Sequence, residues 1–103
     1  MIKTKDASVS IVDLDHRLFV AYGVALAVYD DLGNSRNCVV TSGNDAYHKK
    51  GSKHYTDQAI DLRVWGFDDR QRRSAHVWIA KVLGRDFDVV DEIDHLHLEW
   101  DPK

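Results

Sequence analysis

The chain has 103 residues, 44% of them hydrophobic and 30% charged, with a formal net charge of −3. That length holds one core and excludes a second, so residues 1–103 are read as a single domain. The acidic balance argues against sequence-independent nucleic-acid binding, which needs an excess of Lys and Arg, and the lone cysteine excludes an intramolecular disulfide and a thiolate-rich metal site.

The amino terminus, Met1-Ile2-Lys3-Thr4-Lys5-Asp6, lacks the apolar run of an export signal. The longest apolar stretch, residues 18–29, is interrupted by Gly23 and is too short to span a bilayer. The expectation is a chain made in the cytoplasm with no membrane partner. Ser8-Val9-Ser10-Ile11-Val12 alternates polar and apolar, as an edge strand or an ordered arm does.

Asp13 or Asp15 is placed to cap a helix running to about residue 32. Leu14, Leu18, Phe19, Ala25, Leu26, Tyr29 and Leu32 supply its apolar face. Gly33 suits the left-handed position that ends it. Residues 38–41, Cys-Val-Val-Thr, form a compact β-favouring run and are expected to be a central strand, with Cys38 a buried structural thiol. Ser42-Gly43-Asn44-Asp45 breaks into a loop carrying His48, Lys49 and Lys50. These lysines, with Lys53, are read as solvated charges, with attraction of an acidic substrate as the rarer outcome.

Residues 59–64 alternate again, which turns Asp61 away from Ile60 and Leu62 and sets a carboxylate on a rigid strand. Asp68, with Gln71 three residues on, announces a second helix with a capping box. Its core stripe is expected to be Ala75, Trp78, Ile79, Val82 and Leu83, with Gly84 as its stop. The arginines at 70, 72 and 73 are expected on a solvated face. Residues 87–90 and 95–100 read as two strands, neighbours if antiparallel, with residues 91–94 as their turn or its flanks. The expected fold class is α+β, a small antiparallel sheet with two main helices.

Two polar clusters carry chemistry. The first is Ser52-Lys53-His54-Tyr55-Thr56-Asp57-Gln58-Ala59-Ile60-Asp61; the second is Asp91-Glu92-Ile93-Asp94-His95-Leu96-His97. On the last strand His95, His97 and Glu99 share one face, and Leu96, Leu98 and Trp100 share the other. One histidine is usually structural, but two on one strand face beside a His-x6-Asp pair point to a metal site. Imidazole and carboxylate are ligands that zinc accepts, and a catalytic zinc takes three protein ligands plus a water. His54, Asp61 and His97 would be those three. Zinc lowers the pKa of a bound water to about 7, and a nearby carboxylate takes its proton. Asp94 is the first choice for that base, with Asp91 and Glu92 as rivals. His95 or His48 would stabilise the oxyanion, or would orient a ligand from behind.

These residues carry a family resemblance. Ser52-x-His54-x-x-x-x-Ala59-x-Asp61, followed by Asp94-x-x-His97, resembles the zinc D-Ala-D-Ala carboxypeptidase and L-alanyl-D-glutamate endopeptidase family. The same run is similar to the amino-terminal signalling domain of Hedgehog proteins, which shares that fold. The resemblance covers roughly residues 38–101. It implies a zinc ion on His54, Asp61 and His97, Asp94 as general base, and a peptidoglycan stem peptide as substrate. Compact members without a signal peptide are often phage endolysins, and a monomer is the simplest form. Two departures stand out. Asp57 takes the place of the family's usual Gly, and Asn44-Asp45 follow Ser42-Gly43 where many carboxypeptidases carry an Arg soon after. The missing Arg favours the endopeptidase over the carboxypeptidase. Together the departures motivate a second reading, a non-catalytic zinc-bearing binding domain of the Hedgehog kind. A third makes the histidines structural and the domain metal-free.

Overall fold

Alternation of apolar and polar residues makes a strand two-faced, and here it makes a whole sheet two-faced. The computed structural model describes residues 2–11, 14–43 and 58–103. It contains helix α1 (Arg17–Asp31), a 3-10 turn (Ser35–Asn37), strands β1 (Val40–Ser42) and β2 (Ala59–Arg63), helix α2 (Asp69–Leu83), and strands β3 (Phe87–Asp91) and β4 (His95–Trp100). The fold is α+β, with four antiparallel strands in the order β1-β2-β4-β3.

Ile60 and Leu62 of β2 and Leu96 and Leu98 of β4 are fully buried. They join Leu18, Tyr22, Ala25 and Tyr29 of α1 and Ala75 and Ile79 of α2 in one core. Each such aliphatic side chain contributes on the order of 1.5–3 kcal/mol through loss of hydrated apolar surface. The alternate residues, Asp61, His95, His97 and Glu99, leave on the other side of the sheet.

Helix α1 begins where Asp15 accepts a hydrogen bond from the Arg17 backbone N–H at 2.9 Å; Asp13 lies outside the described residues. It ends at Gly33, whose φ of 72° is the left-handed conformation expected there. Its buried positions, 18, 21, 22, 25, 28 and 29, repeat at three and four residues. Phe19, expected on that face, is exposed.

Three expectations need correction. Residues 38–41 do not form a central strand: β1 starts at Val40 and ends the strand order. Cys38, Val39 and Val40 are nonetheless buried. The amino-terminal arm runs along the outer side of β1, with Val40 N–H donating to Lys3 O at 2.8 Å and Lys5 N–H donating to Val40 O at 3.0 Å. An apolar run reports burial, and here the arm supplies the cover that a neighbouring strand would. Pairing falls at Lys3–Lys5, ahead of the alternating run at 8–12 that suggested it.

The second correction is the face of α2. Its capping box is present in both directions between Asp68 and Gln71, and Gly84 closes it. Its inward residues, however, are Arg72, Ala75 and Ile79, while Trp78 is 49% and Val82 65% exposed. The helix is rotated so that polar groups reach β3. The third correction is one of these groups: Arg72 is not solvated but buried, its Nε donating to Asp91 Oδ1 at 2.8 Å and its Nη1 to Asp69 Oδ1 at 2.6 Å. His76 Nε2 lies 2.7 Å from Val89 O.

Gly66 is required at the turn after β2. Its φ is 84°, and a Cβ there would sit 2.5 Å from Asn34 Oδ1. Asn34 uses its Nδ2 to donate to Trp65 O at 2.8 Å, tying α1's exit to that turn.

Candidate metal centre

The β2–β4 register sets Asp61 directly opposite His97 and Arg63 opposite His95. Strand partners on one face bring their Cβ atoms to about 4.5–5.5 Å, which is contact distance for a carboxylate and an imidazole. Accordingly Asp61 Oδ1 lies 2.9 Å from His97 Nδ1. The other ring nitrogen, His97 Nε2, is 2.9 Å from Glu99 Oε1, two residues along the same strand. On the far side, His95 Nε2 faces Asp61 Oδ2 at 3.8 Å, and His95 Nδ1 lies 2.6 Å from Asp94 Oδ1. The five residues form one polar line, Asp94, His95, Asp61, His97 and Glu99, across the sheet.

His97 has the most perturbed acid–base chemistry of that line. Burial by itself favours the neutral ring, but the hydrogen bonds to Asp61 and Glu99 outweigh it and push His97 up to about 9. At neutral pH the metal-free ring is therefore an imidazolium donating to both carboxylates.

Of the six residues assigned from sequence, four are brought together here: Asp61, His97, Asp94 and His95. His54 and His48 lie outside the described residues, as do Asp57 and Lys49, Lys50 and Lys53. The two described ligand candidates suit a metal in donor type and position. Two ligands of a tetrahedral zinc at about 2.1 Å sit about 3.4 Å apart, so Asp61 and His97 would separate by only about half an ångström.

Of the rival bases, Asp91 is committed elsewhere. It accepts from Arg72 Nε and, at 2.9 Å, from the Ile93 N–H. Burial alone would raise its pKa, but these bonds hold it below the usual carboxylate range. Glu92 is exposed. Asp94 is 86% exposed on its side chain and its described partner is His95. It reaches the Asp61–His97 pair through that ring.

The sequence reading missed two features. A groove of about 820 Å³ adjoins the site, lined by His97, Glu99 and Val90 of the sheet and by Lys81, Gly84 and Arg85 of α2's exit. Asp88, Glu99 and Asp101 also bring carboxylate oxygens within 4.8 Å of one another, close enough to hold a metal ion. Such a set is all oxygen, suited to hard cations rather than zinc. Lys103 Nζ already lies 2.9 Å from Asp88 and 3.2 Å from Asp101. The signal for this group was the β3–β4 register, which pairs Asp88 with Glu99; spacing along the chain does not contain it.

Comparisons with protein-family models, with curated proteins and with solved structures returned no match.

Proposed function

We propose that this chain is a zinc-dependent peptidase acting on peptidoglycan stem peptides, most simply as an L-Ala–D-Glu endopeptidase and otherwise as a D-Ala–D-Ala carboxypeptidase. The observation that carries the reading is the Asp61–His97 contact on directly opposed strand positions, with Asp94 and His95 beside it. His97 Nδ1 and Asp61 Oδ1 would hold the metal, with His54 as the third protein ligand implied by the family resemblance. Zinc bound there would supply Lewis acidity and lower the pKa of a water to about 7.

The protein's own residues have distinct tasks in this reading. Asp94 takes a proton from the attacking water and returns it to the leaving amine. His95 links the two, its Nδ1 bonded to Asp94 and its Nε2 facing Asp61 at 3.8 Å, and so holds the base beside the ligand pair. The groove beyond His97 accepts the extended peptide. Rigid strands hold Asp61 and His97, which keeps the ligand pair aligned without help from substrate.

Digestion of purified peptidoglycan by the zinc-treated protein tests the proposal, with new amino termini and released fragments read by mass spectrometry. New D-Glu amino termini establish the endopeptidase and free D-Ala the carboxypeptidase. One specific observation favours the second reading, a zinc-bearing binding domain: the exposed Asp94 bonds to His95 rather than to either ligand candidate. One zinc per chain with no product from any cell-wall preparation would decide for it.

A further inference from the structure

The five-residue line ends in Glu99, a side chain with no part in the ligand set or the proton transfer. Its carboxylate lies 2.9 Å from His97 Nε2, while His97 Nδ1 points the opposite way, at Asp61. An imidazole can give a metal only one nitrogen, and the hydrogen bond made by the other decides which tautomer and ring orientation it offers. We propose that Glu99 is the positioning residue of the metal centre: it accepts the Nε2–H of His97, fixes the ring, and commits Nδ1 as the nitrogen that binds metal. This inference rests on the zinc reading above.

Three observations support it. His97 and Glu99 are alternate residues of β4 and so lie on the same face, where the strand itself sets their separation. Glu99 is opposed to Ala59 in β2, whose small side chain leaves room on that face. Glu99 also stands in the Asp88–Glu99–Asp101 group, where like charges favour any contact that offsets its own. The imidazole N–H supplies one. A carboxylate behind a metal-binding histidine raises its basicity as a ligand, and loss of such a partner typically costs about 10–100-fold in metal affinity.

The test measures zinc affinity by competition with a chromophoric chelator for the wild type, Glu99→Ala and Glu99→Gln, alongside the melting temperature of each metal-free protein. Glu99→Ala should bind zinc about 10–100-fold more weakly, and Glu99→Gln, whose amide oxygen can still accept, should recover much of the loss. In the cadmium-substituted wild type, ¹⁵N NMR should show metal coupling to His97 Nδ1 and a proton on Nε2. Coupling to Nε2 overturns the proposal, as does a Glu99→Ala protein with unchanged affinity or one that loses only a second, weaker metal equivalent. A wild type that binds no zinc refutes the peptidase reading and this inference together, whereas tight wild-type binding with an unaffected Glu99→Ala refutes this inference alone.

Discussion

His97 Nδ1 and Asp61 Oδ1 meet at 2.9 Å although they are 36 residues apart in the chain. The contact has an acid–base consequence. With its pKa raised from 6.5 to about 9, His97 contributes to the stability of the metal-free protein in full below about pH 6.5, and that contribution is lost as the pH rises through about 9. Urea midpoints of metal-free protein between pH 6 and 10 should fall across this window, and His97→Asn should flatten the fall.

The same proton competes with a metal. A ligating imidazole must give up the proton on its ligating nitrogen, so binding near pH 7.5 should release about one proton from His97. Calorimetry in buffers of different ionisation enthalpy reads that number directly. Release that does not diminish above pH 9 would show that His97 is not its source.

Replacing Asp94 by Asn should lower hydrolysis by about 10²–10⁴-fold while leaving zinc affinity unchanged, because it removes a proton acceptor and no ligand. His95→Ala should reduce turnover and shift its pH profile, since it frees Asp94 from the partner that orients it. Undiminished activity in Asp94→Asn would end Asp94's assignment as the base.

The turn that presents Asp94 is strained. Ile93 has a φ of 74°, costly for a β-branched residue, and its side chain is exposed. Ile93→Gly should stabilise the fold by about 1 kcal/mol, net of the glycine's extra unfolded-state entropy. The turn is pinned from the other side by Arg72, which holds Asp91 while Asp91 accepts the Ile93 N–H. Arg72→Ala should therefore lower the melting temperature and also reduce turnover, a coupling checked by thermal denaturation and kinetics on one preparation.

Fully buried and half-exposed apolar residues should separate in stability. Leu98→Ala, at a fully buried site, should cost about 2–5 kcal/mol. Trp78→Gln, at a position that sequence periodicity places in the core, should cost less, about 1 kcal/mol, because half of the ring is already exposed. Chemical denaturation distinguishes them.

Local rules in the sequence determined much of this protein. Alternation at 59–63 and 95–100 fixed which side chains face inward, Asp68 and Gln71 fixed the start of α2, and Gly33 and Gly84 fixed two helix ends. These follow from backbone geometry within a few residues, so they are legible without a fold. The α+β class, the turning of Asp61 away from Ile60 and Leu62, and the grouping of His97 with His95 and Glu99 on one strand face were legible for the same reason; that the two strands pair and bring Asp61 to His97 was not.

Tertiary structure decided the rest. That β1 lies at the end of the strand order depends on an arm that arrives from 35 residues earlier, the separation of Lys5 from Val40. The rotation of α2 depends on Arg72 finding Asp91 across the β3 edge, which lets polar contacts outweigh the apolar stripe of Trp78 and Val82. Glu99's bond to His97 and its approach to Asp88 and Asp101 depend on strand register and rotamer. Periodicity tells which way a side chain points; only packing tells which partner it meets there.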